Sequence, residues 1–364
     1  MRVLFLHQQP CMRALKYAVG LRSARAPLEL GFAYRGRTLS AFYGTGDELF
    51  DHWWRIGPDL RADLGRVIAE WKPDLIHSHN LPDLLTVLAL EVTEGRVPVI
   101  HDVHDMQSLR HTPYEDGFPD AGDPAGLEQA AVEGSAALIT VSDELLGELA
   151  DRYRLPARTR TFANYALAQD PPAPLPSPDR PAGDPPRLVY QGTLSCSHGH
   201  YDLREIFAAL VAAGVTLDVY PARDAPDYRR LAAATPGLRV HETLRPADLM
   251  RELPAYDFGW AGFNAGLNAA HLDTALPNKA FEYLAAGLPV LTFGHRALSR
   301  FLEREGLGLK LDDVEGLGAR LRAIDLPALR SRVAAARHDL TVEANIRHVL
   351  ELYHETVGAG QPVA

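Results

Sequence analysis

The chain has 364 residues, which at roughly 100–200 residues per domain is enough for two domains with a core each and excludes a small disulfide-held module. Hydrophobic residues make up 46% and charged residues 23%, the balance of a folded globular protein, and the net charge of −10 repels polyanions, so that a general nucleic-acid surface is excluded and any phosphate must be held by local groups. Cys11 and Cys196 are the only cysteines and neither has a CxxC partner, which excludes a disulfide framework and a four-thiolate zinc site.

The first apolar run, residues 3–6, is too short for the core of a signal peptide and is followed by Gln8 and Gln9. No later stretch approaches the ~18 apolar residues of a membrane span. A cytoplasmic protein, with peripheral membrane contact at most, is therefore expected. Short apolar runs then alternate with helix-period stretches, the pattern of α/β architecture with parallel strands. In the first half strands are predicted at 3–7, 28–34, 74–79, 98–103, 137–142 and 159–164. Between them, 60–71 has helical periodicity, with Leu60, Leu64, Val67, Ile68 and Trp71 on one face. Between 170 and 187 eight prolines remove donors and fix φ, which rules out a helix or central strand and marks a linker. Strands resume at 187–191, 216–220, 238–241, 258–261, 288–293 and 307–311, and a last helix is expected at 342–357. That helix can either extend the second domain or cross back to the first. The expected organisation is an N-terminal doubly wound domain at 1–168, a proline-rich linker at 169–186, a second doubly wound domain at 187–340 and a C-terminal helix at 341–364. Two such doubly wound domains present the carboxyl ends of their sheets to a cleft, where open α/β sheets bind ligands.

The segment ALPNKAFEYLAAGLPVL at 275–291 is the sharpest signal. Pro277 suits a first helical turn, and Gly287 with Pro289 ends the helix and begins a strand. The helix start offers free N–H groups and partial positive charge, to which Lys279 adds a full charge, so a phosphate or diphosphate is the natural ligand. Glu282, three residues on, shares a face with Lys279 and can accept from the two adjacent hydroxyls of a ribose. An isolated pair of this spacing is more often a solvated surface pair, and the surrounding sequence decides between the two.

That segment resembles the donor-site signature of retaining GT-B glycosyltransferases of family four, in the branch with PNKxFEYLAAGxPV. The resemblance extends over nearly the whole chain: VYQGTL at 189–194 resembles the strand and glycine turn that open the donor domain, and DLIHSHN (74–80), PVIHDVHD (98–105), ALITVS (137–142) and the Asn164 turn resemble the acceptor-domain strands in order. It implies a GT-B fold of two Rossmann-like domains and transfer of a hexose from a nucleoside diphosphate sugar, UDP-sugar favoured, with retention. It places Gly192, Thr193, Asn278, Lys279 and Glu282 at the donor and His104 near the reacting sugar. No metal or other cofactor is implied; the partners are the nucleotide sugar and a small-molecule, glycan or lipid-linked acceptor. Three places depart from the commoner pattern: Thr274 stands where a first glutamate is usual, the loop after Gly192 reads TLSCSHGH in place of an Arg and a Lys, and Gln8-Gln9-Pro10 replaces a glycine pair.

His101 and His104 are the candidate catalytic histidines, with Glu282 as a third site residue; a histidine held by strand-end hydrogen bonds is the plain alternative. His101, Asp102, His104 and Asp105, or Cys196, His198 and His200, offer metal-ligand types, but in a strand His101 and His104 point to opposite faces unless the chain bends. Trp53 and Trp54 form either an acceptor platform or part of the core. Arg13 and Lys16 either meet an acceptor phosphate or lie on a solvated helix face. GxGxxG after a strand, GxxxxGK[ST] and GxSxG are all missing, which removes the central device of a dehydrogenase, a P-loop nucleotidase and an α/β hydrolase. A GT-B sugar-nucleotide epimerase and a catalytically silent binding partner are the rival readings.

Overall fold

The computed structural model describes residues 1–111, 118–168, 183–197 and 199–359. Most of the expected linker, at 169–182, and His198 lie outside them. The chain divides into two compact units, Met1–Ala163 with Val342–Ala364, and Asn164–Thr341.

The first unit carries a seven-stranded parallel sheet of β1 (Arg2–His7), β2 (Glu29–Tyr34), β3 (His52–Arg55), β4 (Leu75–His79), β5 (Val99–Val103), β6 (Ala137–Thr140) and β7 (Thr159–Thr161), in the order β3-β2-β1-β4-β5-β6-β7. The central strands β1, β4, β5 and β6 are buried along nearly their whole length because helices cover both faces of the sheet. On one face Leu4, Leu6 and Ile76 meet Leu64, Val67 and Trp71 of the helix Leu60–Trp71, and Leu85 and Ala89 of the helix Asp83–Thr93. Asp59 caps the first of these helices by accepting from the Ala62 N–H at 3.1 Å. The other face is covered by the helices Met12–Ser23 and Val342–Ala359. Gly20 is the close-approach point of these two: a Cβ there would fall 2.6 Å from Val342 Cγ1. The final helix thus belongs to the first unit, which periodicity left open.

β3 is a strand that the sequence reading did not place. Trp53 stacks on Phe32 at 5.2 Å and donates to Asp47 O at 2.9 Å, while Trp54 packs against Trp71 at 5.2 Å. Both tryptophans are therefore packing residues of an edge strand.

The second unit carries a six-stranded parallel sheet of β8 (Arg187–Gly192), β9 (Thr216–Pro221), β10 (Leu238–Val240), β11 (Phe258–Trp260), β12 (Val290–Phe293) and β13 (Gly308–Leu311), in the order β10-β9-β8-β11-β12-β13. Chain order reverses between β8 and β11, the switch point at which sheets of this kind bind ligands. Leu188 and Tyr190 of β8 join Leu217, Val219, Phe207, Leu210 and Trp260 in the unit's core. The strands β8 and β11 pair only at Leu188–Phe258 and Val189–Gly259. Where they part, Tyr283 fills the gap: its hydroxyl accepts from the Gln191 N–H at 2.9 Å and donates to Trp260 O at 3.2 Å.

Candidate functional site

In the second unit the helix Asn278–Ala285 begins just after Pro277, which stands in extended backbone (φ −72°, ψ 144°) and has no N–H to leave unpaired. Its first turn brings Lys279 over the end of β8. The Lys279 side chain is buried; Nζ donates to Tyr190 Oη at 2.9 Å, and Tyr190 in turn donates to Thr193 O at 2.6 Å. Nζ also stands 4.1 Å from the centroid of the Tyr190 ring and 4.6 Å from that of Phe263. Gly192 has φ +128°, open in practice to glycine alone, and a Cβ there would lie 3.5 Å from Lys279 Nζ. Glu282 is half-buried and bonds the Gln191 amide Nε2. Burial pushes the Lys279 ammonium down to about 7, against a smaller opposing pull from Glu282. The structure thus gathers Gly192, Thr193, Lys279 and Glu282, with Asn278 half-buried at the head of the same helix.

Phe263 is held in turn. Its N–H donates to His295 Nε2 at 3.0 Å, and burial pushes the His295 imidazole down to about 4, so it stays an acceptor. Thr274, at the position of the missing glutamate, is buried and donates to His271 O at 2.8 Å. Cys196 is exposed and burial of its surroundings raises its thiol pKa, whereas His200 is buried beside Tyr201 and Phe263. A cavity of about 510 Å³ lies past the ends of β12 and β13, lined among others by Ile206, Phe263, Phe293, Lys310 and Asp312.

In the first unit the polar residues gather at the carboxyl ends of β1, β4 and β5. His79 lies opposite Asp102 in the register of β4 and β5, and Ser78 lies opposite His101, so the two pairs face opposite sides of the sheet. On one side Asp102 Oδ2 accepts from Arg13 Nε at 2.8 Å and Oδ1 from Arg13 Nη2 at 2.9 Å. His79 Nδ1 stands 3.1 Å and His77 Nε2 3.5 Å from Oδ2, and His77 Nδ1 meets Tyr353 Oη at 2.5 Å. Burial by itself would raise the Asp102 carboxyl, but Arg13 and the two histidines hold it well below the usual carboxylate range. Burial lowers His77 and takes His79 well below the ordinary imidazole value, so both rings are neutral at pH 7. His7, at the end of β1, lies 5.7 Å ring to ring from His79. Its pKa is raised despite burial through Cys11, and the Cys11 thiol is lowered through His7.

On the other side of the sheet His101 is fully buried. Its Nδ1 shares a hydrogen bond with Thr86 Oγ1 at 3.0 Å, Thr86 one with Ser78 Oγ at 2.7 Å, and its Nε2 stands 3.2 Å from Asp83 Oδ1. Asp120 accepts from the N–H groups of Asp83 at 2.6 Å and Leu84 at 3.2 Å; burial and the nearby Asp83 push its carboxyl up to about 6. His104, just beyond β5, is half-buried, donates its N–H to Asn80 Oδ1 at 3.0 Å and has its pKa lowered by burial.

The two histidines weighed from sequence therefore have different settings: His101 is locked inside the unit, and His104 is partly exposed at the strand end. Arg13 and Lys16 are both buried, which corrects the solvated-face alternative. Sequence reasoning missed His7, His77 and His79. The signal for the last two was present as histidines at i and i+2 of one strand, which put them on one face. Among the described residues, His77, His79 and Asp102 are the one group of metal-ligating types close enough to share an ion. Both Asp102 oxygens are already taken by a buried guanidinium, and a divalent cation would add charge beside Arg13, so the trio fits a charge hub rather than a metal centre. His101 faces away from it, and His198 of the second weighed cluster lies outside the described residues. No helix among the described residues is long and apolar enough to cross a membrane.

Residues 12–164 match the Glycosyltransferase Family 4 model. No curated protein matches the chain. Similar solved structures include sucrose-phosphate synthase from Thermosynechococcus elongatus (16% identity, 99% of this chain and 100% of that one, TM-score 0.71). Others are a Listeria monocytogenes protein described as a UDP-N-acetylglucosamine 2-epimerase (15%, 98% and 97%, TM-score 0.62) and HepE of Anabaena in complex with UDP (14%, 99% and 97%, TM-score 0.60). With two parallel α/β sheets and alignment along the whole chain, the fold is GT-B.

Proposed function

We propose that the protein is a glycosyltransferase that moves a hexose from a nucleoside diphosphate sugar, UDP-sugar favoured, to an acceptor held by the first unit, with retention of anomeric configuration. The observation that carries this is Lys279: a buried amine in the first turn of a helix, at the switch point of the sheet, beside a glycine whose φ of +128° lets the backbone approach a ligand. In this reading Lys279 and the helix start stabilise the charge that grows on the leaving diphosphate, a task that other transferases give to a metal ion. Asn278 and Thr193 complete the phosphate surroundings, Glu282 holds the ribose, and His104 contacts the reacting sugar or acceptor. His101 serves as a positioning residue under β5. The family match over 12–164 supports the transferase reading, and the UDP bound to HepE supports the choice of base.

Thermal unfolding with UDP, GDP and ADP tests it. A ligand at about 100 times its Kd adds about 2.7 kcal/mol to the folded state, and Lys279→Ala is expected to lose that response. Silence of the wild type toward all three nucleotides would move the catalytically silent partner, to which Thr274 points, into first place. The likeness to the Listeria protein keeps an epimerase in view; turnover of UDP-sugar without acceptor favours that reading, and turnover only with acceptor favours transfer.

A further inference from the structure

We propose that above neutral pH Lys279 has given up its proton in the empty site and takes one back from solvent when a nucleoside diphosphate binds, so that donor binding and protonation are one event. The inference rests on the reading of Lys279 as the diphosphate ligand and adds a control on that site.

The surroundings of Nζ carry it. The amine is buried, its hydrogen-bond partner is the neutral phenol of Tyr190, and its other near neighbours are the faces of Tyr190 and Phe263. Those rings attract a cation weakly but bring no negative charge. From the sheet come Tyr190 and Gly192. From the loop after β11 comes Phe263, tied to a His295 imidazole that stays neutral down to about pH 4. From its own helix come Tyr283, a phenol engaged with Gln191 and Trp260, and Glu282, which is bonded to the Gln191 amide. Among the described residues Glu282 is the one charged group that acts on Lys279, and burial outweighs it, leaving the amine at about 7. A buried ammonium without a contacting anion is costly, and the cost is removed most cheaply by giving up the proton. A diphosphate supplies the missing anion at hydrogen-bond distance, which favours the ammonium again. The balance is simple: the amine gains one proton from water or buffer and no other bond is made or broken.

Calorimetric titration with UDP, GDP and ADP at pH 8, in two buffers of different ionisation enthalpy, measures the proton directly. At that pH the terminal phosphate of the nucleotide is already ionised. Roughly 0.9 proton is expected to be taken up, as follows for a group about one unit below the working pH. Once the phosphate charge is constant, affinity is expected to fall about fivefold from pH 7 to 8 and about tenfold from 8 to 9. Lys279→Arg, whose guanidinium keeps its charge throughout, should bind with no uptake and no such slope. Equal heats in the two buffers with a flat profile overturn the inference while leaving the donor site intact. Uptake that persists in Lys279→Arg assigns the proton to another group and overturns it too. Absence of binding at every pH from 6 to 9 overturns the donor-site reading and this inference together.

Discussion

Arg13 grips Asp102 through both carboxylate oxygens, at 2.8 and 2.9 Å, with 5% and 0% of the two side chains exposed. Neither residue is in the same element: Arg13 comes from the helix after β1 and Asp102 from β5. Arg13 also donates to Tyr17 Oη at 2.8 Å and Phe162 O at 2.9 Å. The pair therefore ties three parts of the first unit together at the strand ends where His7, His79 and His104 stand.

Removing one partner of this pair strands the other charge in a dry site. Asp102→Asn is expected to destabilise the protein by about 3–5 kcal/mol. The double variant Asp102→Leu with Arg13→Met should cost distinctly less than the sum of the single variants, because both charges leave together. Urea unfolding of wild type, Asp102→Leu, Arg13→Met and the double variant gives the coupling, and additive losses would contradict the pair.

Lys279→Met should stabilise the ligand-free protein. Its folded pKa of about 7 lies below the unfolded value near 10.5, so between those values the unfolded chain binds the extra proton and stability rises with pH. The cost of burying Lys279 is thus greatest at pH 7 and below. A gain of about 1–4 kcal/mol is expected there for an apolar replacement, together with loss of the nucleotide response. Denaturation at pH 7 and pH 10 should show the gain shrinking toward the higher pH; an unchanged or larger gain there would count against a depressed Lys279.

Acid should weaken the fold from about pH 6.5 downward, above the range in which ordinary carboxylates protonate. Burial lowers His77, His79 and His104, and brings His295 to about 4. The unfolded chain takes up protons at these positions near pH 6.5 and the folded chain does not, so their share of stability falls as pH drops from about 6.5. For His295 alone the window runs from about 6.5 to 4, equivalent to roughly 3 kcal/mol. His7 and Asp120, whose folded values are raised, oppose this: their shares are full at low pH and are lost as pH climbs through the folded value. The expected result is a lower urea midpoint at pH 5 than at pH 7.5, and equal midpoints would contradict the neutral imidazoles.

Tyr283→Phe removes the hydroxyl that serves both β8 and β11 where they part. It leaves the Gln191 N–H and the Trp260 carbonyl without that partner, at an expected cost of about 1–3 kcal/mol. Because Gln191 also holds Glu282, nucleotide affinity should fall with stability. Calorimetry beside urea unfolding checks both, and a variant equal to wild type in each would exclude the bridge.

The predicted strands nearly all sit where the structure has them, because buried parallel strands read as apolar runs whatever surrounds them. The structure adds one strand that was not predicted, β3, which has four residues at a sheet edge, and its Trp53 and Trp54 look the same in sequence whether they bind a ligand or pack on Phe32 and Trp71. The 275–291 segment announced the helix start and its end through local signals alone: Pro277 and the closing Gly287 act within a turn or two.

What the sequence could not determine was the setting of each charged group, since that depends on neighbours brought from far along the chain. Local periodicity left Arg13 open between a solvated face and an anion site; Asp102, 89 positions on, makes it half of a buried ion pair. Tyr353 reaches His77 across 276 positions, through a final helix whose unit periodicity could not assign. Sequence alone determined the strands other than β3, the helix start and the residue types at the strand ends. Tertiary structure alone decided which of those residues are dry, which are paired and which imidazoles stay neutral, because desolvation and Coulomb attraction act through space and follow the fold rather than the chain.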